Sequence, residues 1–218
     1  MCATYGLEPA DEYQLACLNA AIADAKSQEA LERWQAQRHG TAKITGAKAV
    51  NLNPLVTATA SKPADDDSRS LSYQFHLAWW WLHLGGEPAP FSAFNARDDK
   101  LLSSRAWRGP FRNHRAIAPA SWYIEKGRRF ALPSGEDFGI ATITAPSAAP
   151  DGSEMLSYAL VTRDAVAEAA SVHPRMPLIL PQELHEDWLD PSLAGDGDLL
   201  AEALTASEQL SHEIQLVG

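Results

Sequence analysis

Between residues 115 and 162 the chain passes through three extended segments, 115–124, 136–145 and 155–162, with no helical pattern between them. The stretch 145–153 (APSAAPDGS) joins the last two as a hairpin-like loop. Strands joined this way pair antiparallel, because a parallel pair needs a long crossover. The rest fits that frame. Residues 11–37 read as a helix, with Leu15, Leu18, Ile22 and Ala25 on one face and Gly40 beyond its end. Residues 43–58 read as extended, broken by Pro54, and 60–69 (ASKPADDDSR) as a polar, disorder-prone loop. Residues 71–82 (LSYQFHLAWWWL) alternate and are aromatic, which predicts a strand, and 85–90 is a turn-rich break. Residues 164–172 suit a short helix, 177–180 a short buried strand, and 196–210 an acidic helix. Strands and helices do not alternate regularly. The expected class is α+β, a single domain over residues 2–190 with a mainly antiparallel sheet or barrel core and flanking helices. Residues 191–218 are expected as an acidic C-terminal helix or tail, packed on that domain or extending from it.

Composition narrows the function classes. The 218 residues are 45% hydrophobic and 21% charged, which excludes collagen-like, low-complexity and wholly disordered chains. No apolar run approaches the roughly 20 residues of a membrane-spanning helix. The opening MCATYGLEPADEY has no basic and then apolar stretch, so no secretory signal is expected. Two cysteines make no disulfide framework and point to the reducing cytoplasm. A monomer is the default expectation.

The net charge of −10 seems to argue against nucleic acid, yet it is unevenly spread. Residues 97–129 hold nine bases and three acids, whereas residues 181–218 hold nine acids and no Lys or Arg. Screening over about 8 Å keeps an acidic tail from cancelling a distant basic surface. Trp107, Trp122 and Tyr123 interleave with the bases, as on a single-strand-binding surface. Arg-rich runs are also common as plain solvated faces.

Cys2 follows the initiator Met, and its side chain is small enough for methionine aminopeptidase to expose it. An α-amine has a pKa of about 7.7–8.0, against about 10.4 for lysine, so a useful fraction is neutral at pH 7. An N-terminal cysteine sets that amine beside a thiol. An aldehyde can form an imine with the amine, and the thiol can then close a five-membered thiazolidine. Cys17, among apolar residues of the first helix, reads as a core thiol. Cys2 and Cys17 lack the close pairing of a zinc site, and His76 and His83 have no carboxylate at ligand spacing. No glycine-rich phosphate loop occurs, so no metal or cofactor is expected.

Several motifs fall in one order. The chain opens MC; Phe94-Asn95-Ala96-Arg97 matches F/I-N-A-R; Pro119-Ala120-Ser121-Trp122-Tyr123-Ile124-Glu125 aligns with P-A-D-G-F-Y-E. Thr162 stands eleven residues before His173, and His173-Pro174-Arg175-Met176-Pro177-Leu178-Ile179-Leu180 matches H-D-R-M-P-V-I-L. Asn51-Leu52-Asn53-Pro54 is a degraded N-x-A-P. In these motifs the chain resembles the SRAP (SOS response-associated peptidase) family, whose members link covalently to abasic sites in single-stranded DNA. It departs at Thr4, where the family has arginine, at Lys126, which replaces an aromatic, and at Trp79-Trp80-Trp81-Leu82, which replaces a tryptophan-glycine segment.

The resemblance implies roles. Cys2, Asn95, Glu125 and His173 would be the chemical residues. Glu125 would assist amine deprotonation and sugar opening, His173 would protonate the departing hydroxyl, and Asn95 would orient Cys2 and the sugar. Arg97, Thr162, Arg175, Arg112 and Arg115 would contact the DNA backbone. Taken singly, each has an ordinary structural reading: His173 before a proline, Glu125 at a strand end, Asn95 in a turn. Two other functions stay open: a cysteine-type hydrolase using Cys2 and His173 on a peptide or amide, and a noncatalytic module whose acidic tail recruits a protein partner. The DNA reading favours single strands or single/double-strand junctions.

Overall fold

The computed structural model describes residues 2–61, 70–149 and 151–217. In chain order the elements are β1 (Thr4–Gly6), α1 (Ala16–Ala21), α2 (Ala25–Arg38), β2 (Thr41–Lys43), β3 (Leu52–Ser61), β4 (Ser70–Trp79), β5 (His83–Leu84), β6 (Glu87–Pro88) and β7 (Asn95–Arg97). There follow α3 (Arg108–Asn113), β8 (Arg115–Ala120), β9 (Trp122–Glu125), β10 (Arg128–Ala131), β11 (Phe138–Ala148) and β12 (Glu154–Asp164). The chain ends with α4 (Ala167–Val172), β13 (Arg175–Pro177), β14 (Ile179–Leu180), α5 (His185–Leu189), α6 (Gly197–Glu213) and β15 (Gln215–Leu216).

The fold is α+β. Five strands close on themselves: β3 pairs β4, β4 meets β12, β12 pairs β11, β11 pairs β8, and β8 meets β3. The β4–β12 and β8–β3 closures are single bridges, Ser157 to Trp79 and Val56 to Ile117. The ring is therefore pinched at two seams between two long hairpins. Parallel β7 and antiparallel β13 extend it along β12, and β14 extends it along β11. A second sheet, ordered β15-β10-β9-β1-β2, carries the N-terminus. Leu55, Ile117, Ile140, Ile143, Leu160 and Val161 are fully buried and fill the core.

Several elements differ from the sequence expectation for identifiable reasons. The helix expected over 11–37 is two helices, because the Asp24 carboxylate accepts from the N–H groups of Lys26 and Ser27 (both 3.0 Å) and starts α2 afresh. It ends where His39 and Gly40 turn left-handed, with φ of 51° and 61°. The strand expected over 115–124 is two, since Ser121 donates its N–H to the Gly6 carbonyl (2.7 Å) and passes the chain from barrel to second sheet. Pro54 does not break β3. The bond from Trp80 N–H to the Asn51 carbonyl (3.2 Å) puts the ladder bonds on alternate residues, and Pro54, opposite Leu77, falls between them. The polar loop expected at 60–69 lies mostly outside the described residues.

The site end of the barrel depends on Gly6. A Cβ there would meet the Trp122 ring at 2.2 Å, so the indole of the residue opposite it covers a bare backbone. The C-terminal segment packs onto the rest. Arg163 on β12 donates to the Leu204 carbonyl (3.1 Å) and the Ser207 hydroxyl (2.6 Å) of α6, and pairs with Glu208. β15 adds a last strand beside β10.

Candidate active site

The site is assembled where β1, β7, β9 and the end of β12 converge. Trp80 is fully buried, stacks on Tyr158 (6.1 Å, 9°) and meets Tyr5 edge-on (5.0 Å). Its indole N–H donates to the Phe94 carbonyl (2.8 Å), and the same carbonyl accepts from Leu160 N–H (3.0 Å). The residue before Asn95 is thereby fixed at two points. The register Leu160 to Asn95 then turns the Asn95 side chain inward, and its amide donates to the Cys2 carbonyl at 2.7 Å.

Cys2 is 1% exposed, and its thiol donates to the Thr4 carbonyl (3.3 Å). Burial pushes the thiol up to about 12, with the Glu125 charge adding to the shift and main-chain hydrogen bonding at Thr4 and Ile124 opposing it. Glu125, also buried, ends β9, the strand paired with β1. His173 follows α4 and is half-buried. Its Nδ1 lies 3.0 Å from the Arg175 N–H and 3.1 Å from the Arg175 carbonyl. It accepts from the first when neutral and can donate to the second when protonated.

The expected backbone-contact residues separate into different roles. Arg97 is exposed, but its guanidinium holds Asp99 through two bonds of 2.8 and 2.9 Å. Thr162 is 1% exposed, and its hydroxyl donates to the Ala96 carbonyl (3.4 Å). Arg175 is buried, pairs with Asp164 (2.6 Å) and Asp98, and donates to the Thr162 carbonyl. In this arrangement it clamps the end of β12 to the turn after β7. Arg115 is buried too, and its five N–H groups go to the carbonyls of Trp188, Phe111, Arg112, Asp190 and Leu193. No donor is left for a phosphate. Arg115 opens β8, whose far end reaches β1 about 17 Å away at ~3.3 Å per residue. Arg112, on exposed α3, is at that remote end as well. The structure therefore gathers Cys2, Asn95 and Glu125, sets Arg97 and Thr162 beside Asn95, and puts Arg112 and Arg115 elsewhere. Among the described residues Arg105, Arg108, Arg112, Lys126 and Arg128 are exposed and make no ion pair.

Sequence reasoning missed the tyrosines behind Cys2. The Tyr5 and Tyr158 hydroxyls are 2.6 Å apart, and Tyr123 stands opposite Tyr5 in the β1–β9 pair. Tyr5 and Tyr158 read as apolar strand residues in the sequence, while Tyr123, grouped there with Trp107 and Trp122 as on a single-strand-binding surface, is buried like both of them. The visible signal was Tyr123 in the place of a phenylalanine. A cleft of about 1030 Å³, lined by Thr57, His76, His114, Ser147 and Met155 among others, opens at the opposite end of the barrel and touches none of Cys2, Asn95, Glu125 or His173. Among the described residues no group of three or more metal-binding side chains is present, and no helix is long and apolar enough to cross a membrane.

Known proteins resemble this chain in sequence and in fold. The abasic site processing protein YoqW of Bacillus subtilis is 27% identical over 114 residues, 48% of this chain and 51% of that protein. YoaM of the same organism, another abasic site processing protein, is 25% identical over 114 residues, 48% of this chain and 50% of its own. These matches span about half the length of the curated relatives. Among solved structures, a Bacteroides thetaiotaomicron protein superposes with a TM-score of 0.61 at 20% identity, over 93% of this chain and 86% of that one. A phage-related protein of Bordetella bronchiseptica gives 0.54 at 16% identity, over 99% and 93%. Both share the fold. The family model described as SOS response associated peptidase (SRAP) matches residues 1–217, and the chain belongs to that family.

Proposed function

We infer that this chain processes abasic sites, and that Cys2, once Met1 is removed, captures the opened sugar covalently. The observation that carries this reading is the 2.7 Å bond from Asn95 to the Cys2 carbonyl, which fixes the first residue of the processed chain beside buried Glu125. The relatives named as abasic site processing proteins support the substrate class.

The raised thiol sets the order of steps. A thiol at about 12 is protonated at neutral pH, so the α-amine attacks first. Its nitrogen bonds to the sugar C1′, and the carbonyl oxygen takes up a proton. Glu125 and His173 are the groups that move protons as that oxygen departs as water and leaves the imine. The Cys2 sulfur then adds to the same carbon. Its proton passes, directly or through Glu125, to the imine nitrogen, and the C=N π pair forms that N–H bond, giving the neutral thiazolidine. Positioned acid–base groups contribute about 10²–10⁴-fold to such transfers. The substrate fitting a buried nucleophile is a flexible single strand, or a junction beside one. The cysteine-hydrolase alternative needs a thiolate, which burial disfavours here.

The test is a single-stranded oligonucleotide with one abasic site, mixed with protein and run on a denaturing gel. A retained band is expected, lost with Cys2→Ser and slowed with Glu125→Gln. Absence of the band with the wild-type chain overturns the reading.

A further inference from the structure

Tyr123 is 1% exposed, yet its hydroxyl has no hydrogen-bond partner among the described residues. Leaving such a group unpaired costs about 1–3 kcal/mol, so its persistence calls for an explanation. The family pattern has phenylalanine at this position, which would fill the same space without that cost. The hydroxyl is aimed by packing alone. The ring stacks on Phe130 (5.2 Å, 13°), and β-strand alternation puts it on the same face of β9 as Glu125. It lies close enough to Cys2 and Glu125 to feel the charge of both.

A second orphan borders the same residue. Asn95 spends its amide on the Cys2 carbonyl, while its Oδ1 is buried without a partner. The site therefore offers one unused donor, the Tyr123 O–H, and one unused acceptor, the Asn95 Oδ1. A hydroxyl both accepts and donates, so one alcohol can complete the two. Opening the deoxyribose releases such an alcohol on the carbon chain that carries the aldehyde.

We propose that Tyr123 is a further substrate-binding residue of this site, its hydroxyl donating to the sugar hydroxyl released by ring opening while Asn95 Oδ1 accepts from it. The proposal rests on the reading of Cys2 as the capturing residue. Tyr123 thereby favours the open sugar over a bare aldehyde, a discrimination phenylalanine cannot supply.

The experiment measures adduct formation by wild type and Tyr123→Phe on two single-stranded oligonucleotides. One carries a natural abasic site. The other carries its aldehyde on a carbon chain that lacks the released hydroxyl. Tyr123→Phe is expected to slow the natural reaction about five- to tenfold, the worth of one neutral hydrogen bond, and to leave the analogue within about twofold. Its melting temperature is expected to match or exceed wild type, because an orphan hydroxyl has been removed. Equal slowing on both oligonucleotides, or none on the natural site, overturns the proposal while leaving Cys2 capture intact. If the wild type links only the natural site, slowing there at an unlowered melting temperature supports the proposal. If the wild type links neither, the reading of Cys2 fails and Tyr123 falls with it.

Discussion

The Cys2 thiol is governed by its surroundings more than by its own chemistry. Burial raises it and Cys17 alike, each to about 12. At pH 8 the thiolate fraction of either is then about one in ten thousand. Iodoacetamide at pH 8 is expected to alkylate neither cysteine in the folded chain and both in urea, with mass spectrometry as the readout. Because both folded values lie above the free-thiol value of about 9, their contribution to stability is full below pH 9 and is lost as pH rises toward 12. Asn95 acts on the other side of the same residue. Asn95→Ala removes the side-chain tether on the Cys2 carbonyl and is expected to slow adduct formation about ten- to a hundredfold, measured by quenched time points. Of the residues proposed for the chemistry, Cys2, Asn95 and Glu125 were readable as ordered motifs and lie together in the structure. The place of Tyr123 was not, since the sequence shows only an aromatic among bases and not that its hydroxyl is buried and unpaired among the described residues.

At the scale of elements, the arginines show why charge in a sequence underdetermines role. Arg112 and Arg115 sit in one basic run, yet one is exposed and the other spends five donors holding the chain around Trp188, Asp190 and Leu193. Arg115→Met is expected to lower stability by at least about 3 kcal/mol, seen as a shift of the urea midpoint, because several carbonyls lose their donor together. It should leave the salt dependence of DNA binding unchanged. The expected helix over 11–37 concealed its own break, since Asp24 acts as a cap only once the chain bends there. Asp24→Ala is expected to cost about 1 kcal/mol by the same measurement. The break at Ser121 was illegible for another reason. The passage from barrel to second sheet is fixed by the Gly6 carbonyl, more than a hundred residues away in sequence.

Across the whole molecule, the consecutive extended segments gave the antiparallel β11–β12 hairpin and the α+β class, and the motif order gave the family. The closed ring was not legible, because it depends on two single bridges between distant residues. The acidic C-terminal segment is bound in through Arg163 and β15. A chain ending at residue 190 would expose the surface that Leu199, Leu200 and Ala203 now bury against, and is expected to lose cooperative urea unfolding. Arg97 is held by Asp99, and Arg115 and Arg175 are buried in internal contacts, so undamaged single strands should bind weakly, with a shallow salt slope at about 0.7 per phosphate engaged. Retention on DNA would then come from the covalent bond. The most direct measurement is the intact mass of the wild-type chain after reaction with an abasic single strand and borohydride. The predicted mass is that of the chain without Met1 plus the oligonucleotide, less one water, unchanged by borohydride because a thiazolidine has no imine to reduce. An unreacted chain, an adduct that still carries Met1, or one that gains the hydrogens of reduction would contradict the account.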